Sequence, residues 1–191
     1  MEELINKIKN RIHLNPEAEE FLYSISKEKI LPKGQVLIRQ GQAVKKTFFV
    51  TAGCLRSFCT DKNGKEHTLQ FAIKNWWISD YIAIHNDEPA TLTVECLTES
   101  NIIEFNAKEL DEIHTRFPEF ESYQRHNLER HVVSLHKRIL NQLQLSAPAR
   151  YDLFLKQYPD IEQFTRNFHI ASYLGITQES LSRIRVEKAK K

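Results

Sequence analysis

Between Lys29 and Phe105 the apolar residues recur at every second position in short runs, and turn residues interrupt the runs at close intervals. The runs at 30–31, 36–38, 47–50, 55–59, 66–71, 91–95 and 101–105 are too short for helices. Asp61-Lys62-Asn63-Gly64 supplies a hairpin turn between two of them. Many short strands can cover their apolar faces only by closing sheets on one another. A sandwich or barrel is therefore expected, here a jelly roll.

The flanks carry a different period. Leu4, Ile5, Ile8 and Ile12 share one helical face, and Asn15-Pro16 opens a second short helix that turns Phe21, Leu22 and Ile25 inward. After Pro118, Leu128, Val132, Leu135 and Ile139 alternate spacings of four and three, which is a coiled-coil seam, and Arg130, Lys137 and Arg138 lie off it. A single stripe running beyond a small domain predicts a two-fold homodimer. Ser146-Ala147-Pro148 breaks that helix, a further helix over 149–158 turns Leu153, Phe154 and Tyr158 inward, and Pro159 ends it. The predicted class is α+β in three parts: a roll over 1–117, a dimerisation helix over 118–145 and a helical unit over 146–191, with a hinge at 144–148.

The last unit holds the run from Phe168 to Arg185. Ile170, Ala171 and Leu174 share a face, Gly175 accepts positive φ, and a second helix begins after Thr177, a capping residue. That is a helix-turn-helix. Ile176, Leu181 and Ile184 face its core, and Gln178, Glu179, Ser182 and Arg183 point outward. Arg suits guanine, Gln suits adenine and Glu suits the cytosine amino group, so this face is expected to read base edges in a major groove.

Charge supports a polyanionic partner. Residues 1–120 carry 15 Lys+Arg against 18 Asp+Glu, whereas residues 121–191 carry 12 against 7, so the C-terminal part is net +5 and the rest net −3. Cys54, Cys59 and Cys96 show neither even pairing nor metal spacing, which predicts reduced thiols and a cytoplasmic protein. No apolar run is long enough for a membrane span, and the first residues, with two glutamates, do not read as a signal peptide.

The order helix, jelly roll, long helix, helix-turn-helix resembles the cyclic AMP receptor and fumarate-nitrate regulator (Crp/Fnr) superfamily of bacterial transcription factors. Pro32-Lys33-Gly34, Gly41, Phe48-Phe49-Val50, Gly53 and Leu55-Arg56 match its glycine-spaced strand pattern. The resemblance implies a regulator that is not an enzyme, with double-stranded DNA as partner and RNA polymerase as a further candidate partner. Carried across, the base-reading positions are Gln178, Glu179 and Arg183, the first commonly Arg in the best-known members. No wing is expected after the recognition helix, so Lys188, Lys190, Lys191 and Arg166 are expected to anchor the DNA backbone.

In nucleotide-binding members a cassette presents a Gly-Glu pair to the ribose and, about ten residues on, Arg followed by Ser or Thr to the cyclic phosphate. Here Asp80 stands at the Glu position and Thr91 at the Ser/Thr position, but Ala90 occupies the Arg position. A buried phosphate without its guanidinium is poorly compensated, so cyclic AMP is not expected to bind, and the effector is not named by the sequence. Arg56 or Lys74 would have to supply the charge instead. Trp76, Trp77 and Tyr81 form an aromatic cluster that is a candidate, with Asp80, Ala90 and Thr91, to line an altered ligand pocket, although plugging the cassette or packing in the core is the preferred reading. The iron-sulfur branch needs cysteines near the N-terminus, and none precedes Cys54. No metal site is expected, because His67 and His85 are isolated and His126, His131 and His136 cannot share a helical face. Two other readings stand beside the regulator: a ligand-sensing module whose helical tail contacts a protein, and a metal-dependent jelly-roll enzyme for which the sequence offers no ligand set.

Overall fold

The computed structural model describes residues 1–190. Helix α1 (Glu2–Lys9) buries Leu4, Ile5 and Ile8. Helix α2 (Pro16–Ile25) starts at Asn15, whose side chain accepts the Ala18 amide, with proline in its first turn.

Two four-stranded antiparallel sheets follow. One runs β1 (Ser26–Leu31), β8 (Ser100–Asn106), β3 (Lys46–Ala52) and β6 (Trp77–Ile78) in spatial order. The other runs β2 (Val36–Ile38), β7 (Thr93–Cys96), β4 (Leu55–Thr60) and β5 (Glu66–Ala72). Between them lie Ile38, Phe48, Val50, Leu55, Ile78, Val94 and Ile102. Gly53 turns the chain from β3 to β4 at φ 86°, and a Cβ there would stand 2.5 Å from the Glu99 carbonyl oxygen. Only glycine fits.

Three elements go beyond the expected pattern. β6 has two residues, and α3 (Tyr81–Asn86) has six, too few for periodicity to show. Helix α4 (Ala107–Arg116), which the sequence reading leaves inside the roll, buries only Ile113 and is opened by the Asn106 side chain accepting the Lys108 amide. Strand β1 also begins earlier than expected, at Ser26, because it pairs along the whole of β8.

Helix α5 (Glu119–Gln144) has 26 residues, a rod of about 39 Å. Phe120 and Tyr123 at its start are buried with α1, α2 and Phe49 of the roll. It is followed by α6 (Ala147–Gln157), capped by Ser146, a short 3₁₀ turn at Ile161–Gln163, α7 (Asn167–Leu174) and α8 (Gln178–Ala189).

The C-terminal helices share a core with the roll. Cys54, Phe71 and Leu97 from the roll are buried together with Tyr151, Phe154, Tyr158, Ile170, Tyr173 and Leu181. The Phe71 ring centroid lies 5.9 Å from Phe154, 5.7 Å from Tyr158 and 5.3 Å from Tyr173. Such an aromatic cluster contributes beyond its buried area, about 0.5–1.5 kcal/mol per pair. Helix α7 also covers the open edge of β5. The Ser172 hydroxyl donates to the Glu66 carbonyl and accepts the Thr68 amide, both at 2.8 Å. Arg138 of α5 donates to the carbonyls of Thr68, Leu69 and Tyr173 and stacks 4.1 Å from the Tyr173 ring. An exposed strand edge invites pairing with another chain, and here the molecule caps its own.

Candidate nucleic-acid interface and sensor cassette

The turn between α7 and α8 follows from a few residues. Gly175 ends α7 at φ 68°, and the Ile176 amide reaches back to the Ala171 carbonyl at 3.0 Å, closing the helix end. Thr177 opens α8 by accepting the Ser180 amide at 3.2 Å. Leu181 and Ile184 are buried against Ile170, Ala171 and Leu174, which fixes the rotation of α8 about its axis.

That rotation leaves Thr177, Gln178, Glu179, Ser182 and Arg183 exposed together. The amide of Glu179 itself, with Thr177 and then Arg183, holds the Glu179 carboxyl below its ordinary range, so it is ionised and acceptor-only at neutral pH. Lys188 is exposed but ion-paired with Asp152 at 2.5 Å. Such surface pairs are weak, about 0–1 kcal/mol, so phosphate can compete for the ammonium. Arg166 and Lys190 are exposed, and Lys191 lies outside the described residues. Arg185, which the sequence reading passes over, has a different place from Arg183. Its guanidinium donates to Asn167 at 2.6 Å and pairs with Glu162 at 2.5 Å, tying α8 to the 3₁₀ turn and α7. The offset of two residues from Arg183 puts it on the other side of the helix, the one signal available beforehand.

In the cassette, Asp80 is fully buried and caps α3 by accepting the Ala83 amide at 3.1 Å. Its other carboxylate oxygen accepts the Thr91 amide at 2.6 Å, the Thr91 hydroxyl at 2.9 Å and the Leu92 amide at 2.8 Å. Ala90 is buried and supplies only backbone bonds, to Gln42 and Gly41. Arg56 does not reach out as a substitute. It is buried, paired with Glu66 and Glu95 at 2.7 Å each, and stacked 3.8 Å from the Phe58 ring. Lys74 pairs with Glu3.

The three aromatic residues do not form one cluster. Trp77 packs on Phe49 and Phe105 in the core beneath α1, and Trp76 packs on Tyr158 where the roll meets the C-terminal helices. Tyr81 on α3 is 44% exposed and lies 6.2 Å from the His131 ring of α5. Successive side chains of extended backbone point to opposite faces, which sends Trp76 and Trp77, at the start of β6, to opposite sides. On α5, Leu128, Val132, Leu135 and Ile139 are all exposed. Among the described residues no group of three or more His, Cys, Asp or Glu side chains is placed to hold a metal ion, and no helix is long and apolar enough to cross a membrane.

Comparison with known proteins agrees with this geometry. Residues 28–117 match the cyclic nucleotide-binding domain. The transcriptional activator protein FnrA of Stutzerimonas stutzeri is 25% identical over 166 residues, covering 81% of this chain and 67% of that protein. A transcriptional regulator of the Crp/Fnr family from Eubacterium rectale superimposes with a TM-score of 0.73 at 17% identity, over 93% of this chain and 85% of that one. FixK2 from Bradyrhizobium japonicum superimposes with a TM-score of 0.72 at 13% identity, over 87% and 85%. FnrA is a transcriptional activator and the Eubacterium rectale protein a regulator of the Crp/Fnr family, and this chain is similar to both. Over residues 28–117 the chain is similar to the cyclic nucleotide-binding domain, and its order of roll, long helix and C-terminal helix-turn-helix is similar to that of the Crp/Fnr regulator from Eubacterium rectale.

Proposed function

We propose that this protein is a homodimeric transcription regulator that binds a two-fold symmetric DNA site through paired α8 helices, with Gln178, Glu179 and Arg183 contacting bases, and that it does so without cyclic AMP. The observation that carries the reading is the division of α8: its apolar side is buried in the shared core, and its polar side stands in solvent with no protein partner over Gln178, Glu179, Ser182 and Arg183. A helix presented this way fits a major groove. Dimerisation is supported by the α5 stripe, where Leu128, Val132, Leu135 and Ile139 are 54%, 47%, 38% and 54% exposed at coiled-coil spacing. Two copies joined there would present their recognition helices to half-sites about one helical turn apart.

The cassette argues against a cyclic nucleotide. The donors a phosphate would use, the Thr91 amide and hydroxyl and the Leu92 amide, already serve the Asp80 carboxylate, and no free guanidinium faces them. The residues present do not fit that ligand. A buried phosphate would face a buried carboxylate instead of an arginine.

Selection of bound sequences from a random DNA pool, with and without cyclic AMP, tests the reading. An enriched palindrome unaffected by the nucleotide supports it. Enrichment only with cyclic AMP overturns the cassette argument, and no enrichment in either condition overturns the DNA-binding reading.

A further inference from the structure

On the side of α5 turned away from its apolar stripe, α1 and α5 enclose a cleft of about 510 Å³ beside Lys74 and Asn75. At 3.6 residues per turn, Tyr123, His126, Asn127 and Arg130 project from a different face than Leu128, Val132, Leu135 and Ile139, so a second copy on the stripe leaves the cleft open.

Three cations converge there: Lys7 of α1, Arg11 just beyond it, and Arg130 of α5. None of the three is ion-paired among the described residues. Glu3, the carboxylate at the rim, is taken by Lys74. Lys7 donates to the Asn75 carbonyl and stands 5.1 Å from the Phe49 ring. Burial, then the charges of Arg130 and Arg11, push the Lys7 ammonium below its ordinary value, the mark of like charges gathered without a counter-ion.

The same cleft holds orphaned polar atoms. The Tyr123 hydroxyl, His126 Nε2 and Asn127 Nδ2 are buried without a hydrogen-bond partner, and all three residues line it. Asn127 and the Trp77 indole lie beside the Tyr123 hydroxyl but off the geometry of a bond. Adjacent orphans on successive turns of one helix are costly in the absence of a ligand, and buried polar groups elsewhere in proteins are nearly always satisfied.

We propose that this cleft is a binding site for a small phosphate-type anion, held by Lys7, Arg11 and Arg130 and hydrogen-bonded by Tyr123, His126 and Asn127. Phosphate fits better than a single carboxylate, because it brings more than one negative charge and several acceptor oxygens to a site with three cations and several donors. An anion bound there would join α1 to α5, and through α1 the roll to the long helix.

The test uses the full chain and does not depend on DNA. Titration calorimetry with pyrophosphate and with ADP, at ionic strength matched with chloride, should show saturable binding of one anion per protomer. Arg11→Gln and Arg130→Gln, both at exposed residues, should each weaken it about tenfold or more while leaving the melting temperature of the free protein unchanged. Tighter binding of ADP identifies a nucleotide as the source of the phosphate, and equal binding identifies the free anion. Heat that chloride reproduces, or saturable binding that neither variant weakens, overturns the proposal.

Discussion

The Asp80 carboxylate accepts both the amide and the hydroxyl of Thr91, at 2.6 and 2.9 Å, and so binds the cassette shut from within. Two further amides, of Ala83 and Leu92, complete its coordination. A carboxyl group with four donors in a fully buried site is a structural anchor. Asp80→Ala is expected to destabilise the protein by about 2–4 kcal/mol, since it orphans three buried amides and a hydroxyl. Urea unfolding checks this through a lower midpoint at unchanged slope. A midpoint close to that of the unaltered protein would mean that the four donors find water instead.

Arg183 and Arg185 are two residues apart and have opposite consequences. Arg183 is exposed on the outward side of α8, so under the proposed function Arg183→Ala is expected to weaken binding to the selected operator by about 1–3 kcal/mol and to relax preference at one base position. Thermal stability should stay the same. Arg185→Ala, by contrast, removes the ties to Asn167 and Glu162 and should lower the melting temperature. Operator titrations and melting curves on both variants separate the two roles.

Ile139 sits in the exposed stripe of α5. Placing a charge there should leave the protomer folded, because the site touches little of its own chain, while setting two carboxylates against each other across a two-fold axis. Under the proposed dimerisation through this stripe, Ile139→Asp is expected to sediment as a monomer at concentrations where the unaltered protein sediments as a dimer. A variant that remains dimeric in analytical ultracentrifugation would move the interface away from the stripe.

His169 of α7 is buried, and burial, then Arg56 of the roll and Arg166, lower its pKa from 6.5 to about 3. The groups facing it thus include Arg56, whose own charge is balanced by Glu66 and Glu95. The sign follows from linkage: a histidine held neutral in the folded state contributes fully above its unfolded pKa of 6.5. That contribution is lost progressively as pH falls from 6.5 toward about 3, at up to about 1.4 kcal/mol per pH unit. Stability measured by urea between pH 7 and 5 should therefore fall, and His169→Phe should flatten that part of the profile. An unchanged slope in the variant would assign the acid sensitivity to other groups.

Much of this architecture is legible in the sequence because it rests on local regularities. Period-two runs between turn residues announce the strands, a four-three spacing announces the apolar stripe of α5, and Gly175 with Thr177 announces the turn into α8. These signals repeat over enough residues to be read without neighbours. The short elements β6 and α3 carry too few residues to show a period, and α4 has only one buried apolar residue to announce it.

What the sequence determines by itself is the order of elements and the identity of the outward face of α8, since both depend on spacing along one chain. Tertiary structure decides which charged groups are available. Asp80 consumes the donors of the cassette, Arg56 is paired with Glu66 and Glu95, and Lys7, Arg11 and Arg130 are left together without an ion pair among the described residues. It also decides that the helix-turn-helix shares its core with the roll, through Phe71 and the caps that Ser172 and Arg138 place on the β5 edge. The physical reason is that pairing and desolvation depend on distances between residues far apart in the chain, which only the closed fold sets.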